Sequence, residues 1–197
     1  MDSANLIQDT VQYWNAEVKK ISPPVLHFIA HADRCVLPGV GAFTQAMLNI
    51  RSAGLDEAIH QHVISNAGPS LGICLGMQLM GDRGEEGGGA LSLKLIRSNI
   101  VRLAPTKPHE RVPHVGWNSV EPSANSAILT GIKSGTDFYF VHSYHMQCNN
   151  KNNIAATTPY CGKFVSVVQR GNIFGTQFHP KKSQSAGIRL IKNFLNY

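Results

Sequence analysis

The sequence has no CxxC pair among its four cysteines, no basic run of five or more residues and no apolar run that could span a bilayer. The first absence argues against a zinc or disulfide framework and leaves free thiols in a reducing compartment. The second, with no aromatics interleaved among the basic residues, gives no nucleic-acid footprint. The formal net charge of +6 is spread along the chain and suits an acidic partner surface as well. The third excludes a membrane-spanning helix. The first thirty residues also lack a charged segment followed by an apolar one, so no secretory signal is expected and a cytoplasmic setting is. Repeats and low-complexity tracts are missing too. What remains is 197 residues, 43% hydrophobic and 15% charged, enough for a full core in one domain expected to span 1–197.

Residues 5–14 can form a short amphipathic helix through Leu6, Ile7, Val11 and Trp14, and 17–21 a strand, after which Pro23-Pro24 is expected to break the chain. Arg34–Leu37 reads as a buried strand ended by Pro38-Gly39-Val40-Gly41, Phe43–Ile64 as helix broken near Gly54, Ser70–Cys74 as a strand, and Gly84–Gly89 as a glycine-rich loop. Short strands are expected over Leu95–Leu103, Asn118–Glu121, Asp137–His142, Ile154–Thr157, Val165–Gln169 and Ile173–Gln177, and a closing helix over Ser185–Leu195. Alternating strands and helices early predict an α/β fold with a parallel sheet flanked by helices; the later strands predict an added, smaller antiparallel sheet.

The segment Leu71-Gly72-Ile73-Cys74-Leu75-Gly76-Met77-Gln78 carries the strongest chemical signal. An apolar run reaches a thiol flanked by glycines two residues to either side, and a helix-compatible stretch follows. That is the sequence form of a nucleophile elbow, in which a sharp strand-to-helix turn presents a reactive side chain. A thiol at a helix start also feels the positive end of the dipole, which favours thiolate. The competing reading is a buried core cysteine, against which the two glycines and the helix-like continuation both argue.

A thiol nucleophile needs a base, which can be far away in sequence. Of nine histidines, His179 stands out, because it follows the strand Ile173–Gln177 and precedes a proline-stiffened turn. The carboxyl ends of strands are where α/β sheets gather their sites. An oxyanion needs backbone donors, which the glycine-rich turn Gly39-Val40-Gly41 and the Leu75 amide can supply.

Five segments now stand in order: Pro38-Gly39-Val40-Gly41-Ala42-Phe43, Gly72–Gln78, Pro113-His114-Val115-Gly116-Trp117-Asn118, Phe138-Tyr139-Phe140-Val141-His142-Ser143-Tyr144 and Gly175-Thr176-Gln177-Phe178-His179-Pro180. Together they resemble the class I glutamine amidotransferases, which have a flavodoxin-like α/β fold. Within that family the Gly-Trp-Asn and Phe-Val-His-Ser-Tyr segments are most similar to the glutaminase subunits of imidazole glycerol phosphate synthases. The resemblance implies that Cys74 attacks the side-chain amide of glutamine with His179 as its base. It implies that Gly39, Val40, Gly41 and Leu75 hold the oxyanion, and that Gln78, His142, Ser143 and Tyr144 hold the amino-acid end of the substrate. It implies a (β/α)8-barrel cyclase partner in a heterodimer, met near Trp117, Asn118 and Lys182, and it implies neither a cofactor nor a metal.

Two departures from the family pattern stand out. The family's third catalytic residue is a glutamate two residues after the histidine, and here Lys181 occupies that position. A charged lysine cannot accept the hydrogen bond that would orient the imidazole. Asp82, Glu85 and Glu86 could replace it only if their loop folds back on His179. The chain also begins at the tail of the family's first turn, so that the family's first strand is expected to be missing from the sheet, with poor stability as the consequence. Both departures favour an alternative, a catalytically impaired or non-catalytic copy that binds a partner; a paralogue supplying ammonia to a surface-sugar pathway is a third reading.

Overall fold

The computed structural model describes residues 23–123 and 125–197. The expected helix over 5–14, the strand over 17–21 and the missing first strand concern residues outside those described.

Three parallel strands form one flank of a seven-stranded sheet. Strand β1 (Cys35–Gly39) pairs with β2 (Ser70–Cys74), and β2 pairs with β11 (Ile173–Thr176). The sheet continues antiparallel through β10 (Phe164–Arg170), β9 (Ile154–Thr158), β6 (His114–Pro122) and β7 (Thr136–His142), in the order β1-β2-β11-β10-β9-β6-β7. Most of the later strands thus extend the main sheet. The second, smaller sheet is β4 (Ala90–Leu91), β3 (Arg83–Gly84), β5 (Ser98–Arg102) and β8 (Tyr144–Cys148), in that order.

Helix α1 (Pro23–Ala30) starts where a break was expected. Proline is tolerated in a first helical turn, whose N–H groups have no intrahelical partner, so Pro23-Pro24 opens the helix. The expected break at Gly54 is present: its φ of 69° separates α2 (Phe43–Ser52) from α3 (Leu55–His60), which continues as a π-helical turn over Gln61–Ser65. A short helix α4 (Leu75–Leu79) follows β2 directly, and α5 (Gln184–Leu195) closes the chain.

Two apolar clusters pack the fold. One joins Phe43, Met47 and Ile50 of α2 to Met77 and Leu79 of α4. The other joins Phe138, Phe140, Phe174 and Phe178 to Leu190 and Phe194 of α5. Burial of these rings supplies the main driving force for the fold, at roughly 25 cal/mol per Å² of apolar surface. No helix among the described residues is long and apolar enough to cross a membrane.

Candidate active site

Cys74 ends β2 and caps α4 with φ 54° and ψ −111°. A non-glycine residue in that region costs on the order of 1–3 kcal/mol and persists only where its surroundings fix it. Here packing fixes it. A Cβ on Gly76 would lie 1.7 Å from the Leu37 carbonyl oxygen, and one on Gly72 would lie 2.7 Å from the Met77 Cα. Both glycines therefore let α4 close onto the strands, and the thiol is left at the tip of the turn.

The carboxyl ends of β1, β2 and β11 lie side by side. Gly39 is the register partner of Cys74, and a Cβ on Gly39 would meet Gly76 N at 3.1 Å, so the Gly39–Gly41 turn runs against the start of α4. Gly41 has φ 99°, which suits glycine, while the Val40 side chain is 69% exposed. On the other side Ile73 pairs with Thr176, which brings Cys74 next to Gln177, whose Nε2 donates to the sulfur at 3.7 Å. The thiol faces the Val141 carbonyl oxygen at 3.8 Å.

His179 joins the same end of the sheet. Its N–H donates to Tyr139 O at 3.0 Å, and its carbonyl accepts from Ser183 Oγ at 2.7 Å. Tyr139 and Val141 lie two apart on β7, so one strand carries the backbone contacts of both His179 and Cys74. The imidazole Nε2 is buried and has no hydrogen-bond partner among the described residues. Burial, with the nearby Lys182 charge adding to it, lowers the His179 pKa and keeps the ring neutral.

The thiol does not become a ready thiolate. Burial pushes its pKa up to about 11, against the smaller pulls of the Leu75 N–H, the Gln177 amide and the Lys182 charge. The dipole of the five-residue helix α4 does not overcome that desolvation, which corrects the sequence expectation.

The residues expected at the amino-acid end of a substrate cluster around the break between β7 and β8. His142 Nδ1 donates to Tyr144 O at 2.8 Å, and Ser143 O accepts from Leu103 N at 2.9 Å. Gln78 is buried, and its Nε2 donates both to Tyr144 O at 2.8 Å and to Gln177 Oε1 at 3.1 Å.

Trp117 and Lys182 meet on Tyr139. The indole, 48% exposed, packs edge-on at 5.9 Å between centroids, and the Lys182 ammonium sits 5.4 Å from the ring centroid. Val115 and Val141, register partners on β6 and β7, are exposed beside them. Asn118 is on the opposite face of β6, where its Nδ2 donates to His114 Nε2 at 3.4 Å.

Lys181 lies exposed in the 3-10 turn Pro180–Lys182 and does not crowd the imidazole; the cation that acts on His179 is Lys182. The three candidate acids are engaged elsewhere. Asp82 accepts from Ser98 N, Glu85 from Arg102 N and Glu86 from Phe43 N. Among the described residues the only ion pair is Lys163–Glu121, so none of their carboxylates pairs with His179.

Sequence reasoning assigned no role to Gln177 or His114. The signal for Gln177 was its phase: it precedes His179 by two residues on the strand that continues beside Cys74.

The glutamine amidotransferase class-I family matches residues 5–196. The chain is 45% identical over 170 residues to "Imidazole glycerol phosphate synthase subunit HisH" of Cereibacter sphaeroides, covering 86% of this chain and 80% of that one. It is 45% identical over 168 residues to the protein of the same name from Rhodospirillum rubrum, covering 84% and 78%. A Campylobacter jejuni protein, "Imidazole glycerol phosphate synthase subunit HisH 1", is 42% identical over 163 residues, covering 83% and 80%. Two solved glutamine amidotransferase structures share the fold. One has a TM-score of 0.67 at 14% identity, covering 99% of this chain and 93% of that one. The other, from Thermotoga maritima, has a TM-score of 0.58 at 17% identity, covering 97% and 76%.

Proposed function

This chain belongs to the class I glutamine amidotransferase family, and we propose that it is the glutaminase subunit of an imidazole glycerol phosphate synthase. The observation that carries the reading is the strained Cys74 at a strand-to-helix turn, beside the Gly39–Gly41 backbone and at the same sheet end as His179. In this reading residues 1–197 form one cytoplasmic amidotransferase domain that works as a heterodimer with a (β/α)8-barrel cyclase.

The Cys74 sulfur attacks the side-chain carbonyl of glutamine. Its proton passes to His179 and then to the departing nitrogen, so that the C–N bond breaks, ammonia leaves and a γ-glutamyl thioester remains. Amides of Gly39, Val40, Gly41 and Leu75 stabilise the oxyanion. Gln78 and the His142-Ser143-Tyr144 segment hold the amino-acid end of the substrate. Water then releases glutamate, and the ammonia moves to the cyclase for histidine biosynthesis. The partner docks over Trp117 and Lys182, with Asn118 behind them on β6. A thiol pushed up to about 11, at the same sheet end as a neutral imidazole, makes a quiet resting state, which fits an enzyme that turns over only when its partner is bound.

The exposed Lys181, with no described carboxylate paired to His179, favours a second reading in which the chain is a partner-binding subunit of weak activity. Glutamate release from glutamine, measured with and without the cyclase, separates the two. Partner-stimulated release supports the glutaminase; binding of the cyclase without release supports the scaffold. Release supported only by a sugar-pathway partner would point to the paralogue.

A further inference from the structure

We infer that Gln177 is a further catalytic residue of this site, its carboxamide donating an N–H to the Cys74 sulfur while buried Gln78, anchored on the Tyr144 carbonyl, holds it in that orientation. The reaction it assists is the glutaminase reading above; the contact itself stands on geometry alone.

The chain is ordered by one group that can only accept, the Tyr144 carbonyl. It receives Gln78 Nε2 and His142 Nδ1, each at 2.8 Å. The Gln78 NH2 must therefore face it, and the second hydrogen of that NH2 goes to Gln177 Oε1 at 3.1 Å. With its oxygen so engaged, Gln177 turns its own NH2 to Cys74 Sγ at 3.7 Å. The other arm follows the same logic. His142 carries its proton on Nδ1, so its Nε2 accepts from His114 Nδ1 at 3.1 Å. His114 Nε2 then accepts from Asn118 Nδ2 at 3.4 Å, and Asn118 Oδ1 accepts from Ser119 N at 2.8 Å.

Gln78, Gln177, His114 and His142 are all buried, so a reversed amide would leave polar atoms without partners. Burial also holds both imidazoles neutral, as the chain requires.

Against a neutral thiol the Gln177 N–H makes a weak contact. When the thiol proton leaves for His179, the same N–H meets a thiolate and becomes a charge-assisted bond. Val141 O, at 3.8 Å, favours the opposite state by accepting from the S–H. Gln177 thus stabilises the charged form that attacks, which is the differential binding catalysis needs.

Gln177→Met and Gln78→Met in the full chain test this. The readouts are alkylation of Cys74 by iodoacetamide at one pH, resolved by peptide mass spectrometry, and kcat and KM for glutamate release with the cyclase bound. Gln177→Met is expected to slow alkylation and lower kcat by about ten- to a hundredfold, the scale of a hydrogen bond to a charged group, with KM within about twofold. Gln78→Met leaves Gln177 present but unoriented and is expected to slow both by about three- to tenfold. Alkylation within about twofold of the parent in variants with parental circular dichroism overturns the inference. If Gln177→Met does not fold, Gln78→Met decides by itself. If the parent releases no glutamate, the glutaminase reading fails while the alkylation rates still decide the contact.

Discussion

The Gly76 Cα points straight at the Leu37 carbonyl oxygen: a methyl group there would stand 1.7 Å from it. A backbone oxygen in β1 cannot swing aside, so Gly76→Ala must push α4 off the sheet and with it the turn that carries Cys74. We expect Gly76→Ala to lose about 3–5 kcal/mol in urea denaturation or to fail to fold. Gly41→Ala, at φ 99° with no described residue within 4 Å of a new methyl, meets backbone strain and should lose only about 1–2 kcal/mol.

Cys74→Ala should abolish glutamate release while leaving the fold intact. Among the described residues the thiol's hydrogen-bond contacts are the long ones to Gln177 at 3.7 Å and Val141 at 3.8 Å, and alanine keeps the Cβ of this buried position, so the loss of the sulfur leaves no strong bond broken. Release measured with the cyclase present should fall to background; an unchanged rate would remove Cys74 from the mechanism.

The elbow was legible because glycine spacing reports backbone crowding directly, and Gly72 and Gly76 do prevent the clashes that the pattern implied. The sheet end that gathers the Gly39–Gly41 turn, Cys74 and Gln177 was legible because three apolar strands run into polar or glycine-rich residues there. What could not be read was tertiary in origin. Helix α1 starts at a proline pair that looked like a breaker. Strand β8 was hidden because the chain passes from one sheet to the other at Ser143, with no glycine or proline to mark the crossing. The thiol pKa depended on burial, which no local pattern encodes: the Leu75 N–H at the helix start pulls it down as expected, and desolvation outweighs that pull.

Stability should fall in mild acid. His142 is held neutral chiefly by burial, the Nδ1 bond to Tyr144 O opposing this, and its folded pKa drops to about 3 against 6.5 as the ordinary value. The unfolded chain therefore binds the extra proton between those values. The stabilisation is complete above about pH 6.5 and is lost as pH falls from there towards 3. At pH 5 the loss from this residue amounts to roughly 2 kcal/mol, and His114, lowered to about 4 by burial, acts in the same direction. Urea midpoints at pH 7.5 and pH 5 check it; equal midpoints would mean that both rings are protonated or solvated in the folded state.

Trp117→Ala should weaken cyclase binding. The indole rests edge-on against Tyr139 with about half its surface open, beside exposed Val115 and Val141 and the Lys182 ammonium. An aromatic anchor flanked by apolar side chains and one cation is the composition expected at the centre of an interface. Calorimetric titration with the cyclase should give a Kd raised by about tenfold or more. An unchanged Kd would move the interface to another face.

Lys181→Glu should raise turnover. Lys181 is exposed and takes no part in holding His179, so its removal costs no packing. A carboxylate at the same point of the 3-10 turn can fold back to accept from the imidazole and stabilise its cation. In serine enzymes the orienting carboxylate is worth up to about 10⁴ in rate; a thiol, more easily activated, should gain less, on the order of tenfold. The pH profile supplies an independent sign. Burial and then Lys182 hold the His179 pKa low, so the acid limb of kcat/KM for the parent lies below the ordinary histidine range. A nearby carboxylate favours the imidazolium and should move that limb upward. If both rate and limb stay where they are, the ring is already oriented by its backbone, through the His179 N–H to Tyr139 O at 3.0 Å and the Ser183 hydroxyl on its carbonyl at 2.7 Å. A gain of rate together with the shifted limb would mean instead that the missing carboxylate is what keeps turnover slow.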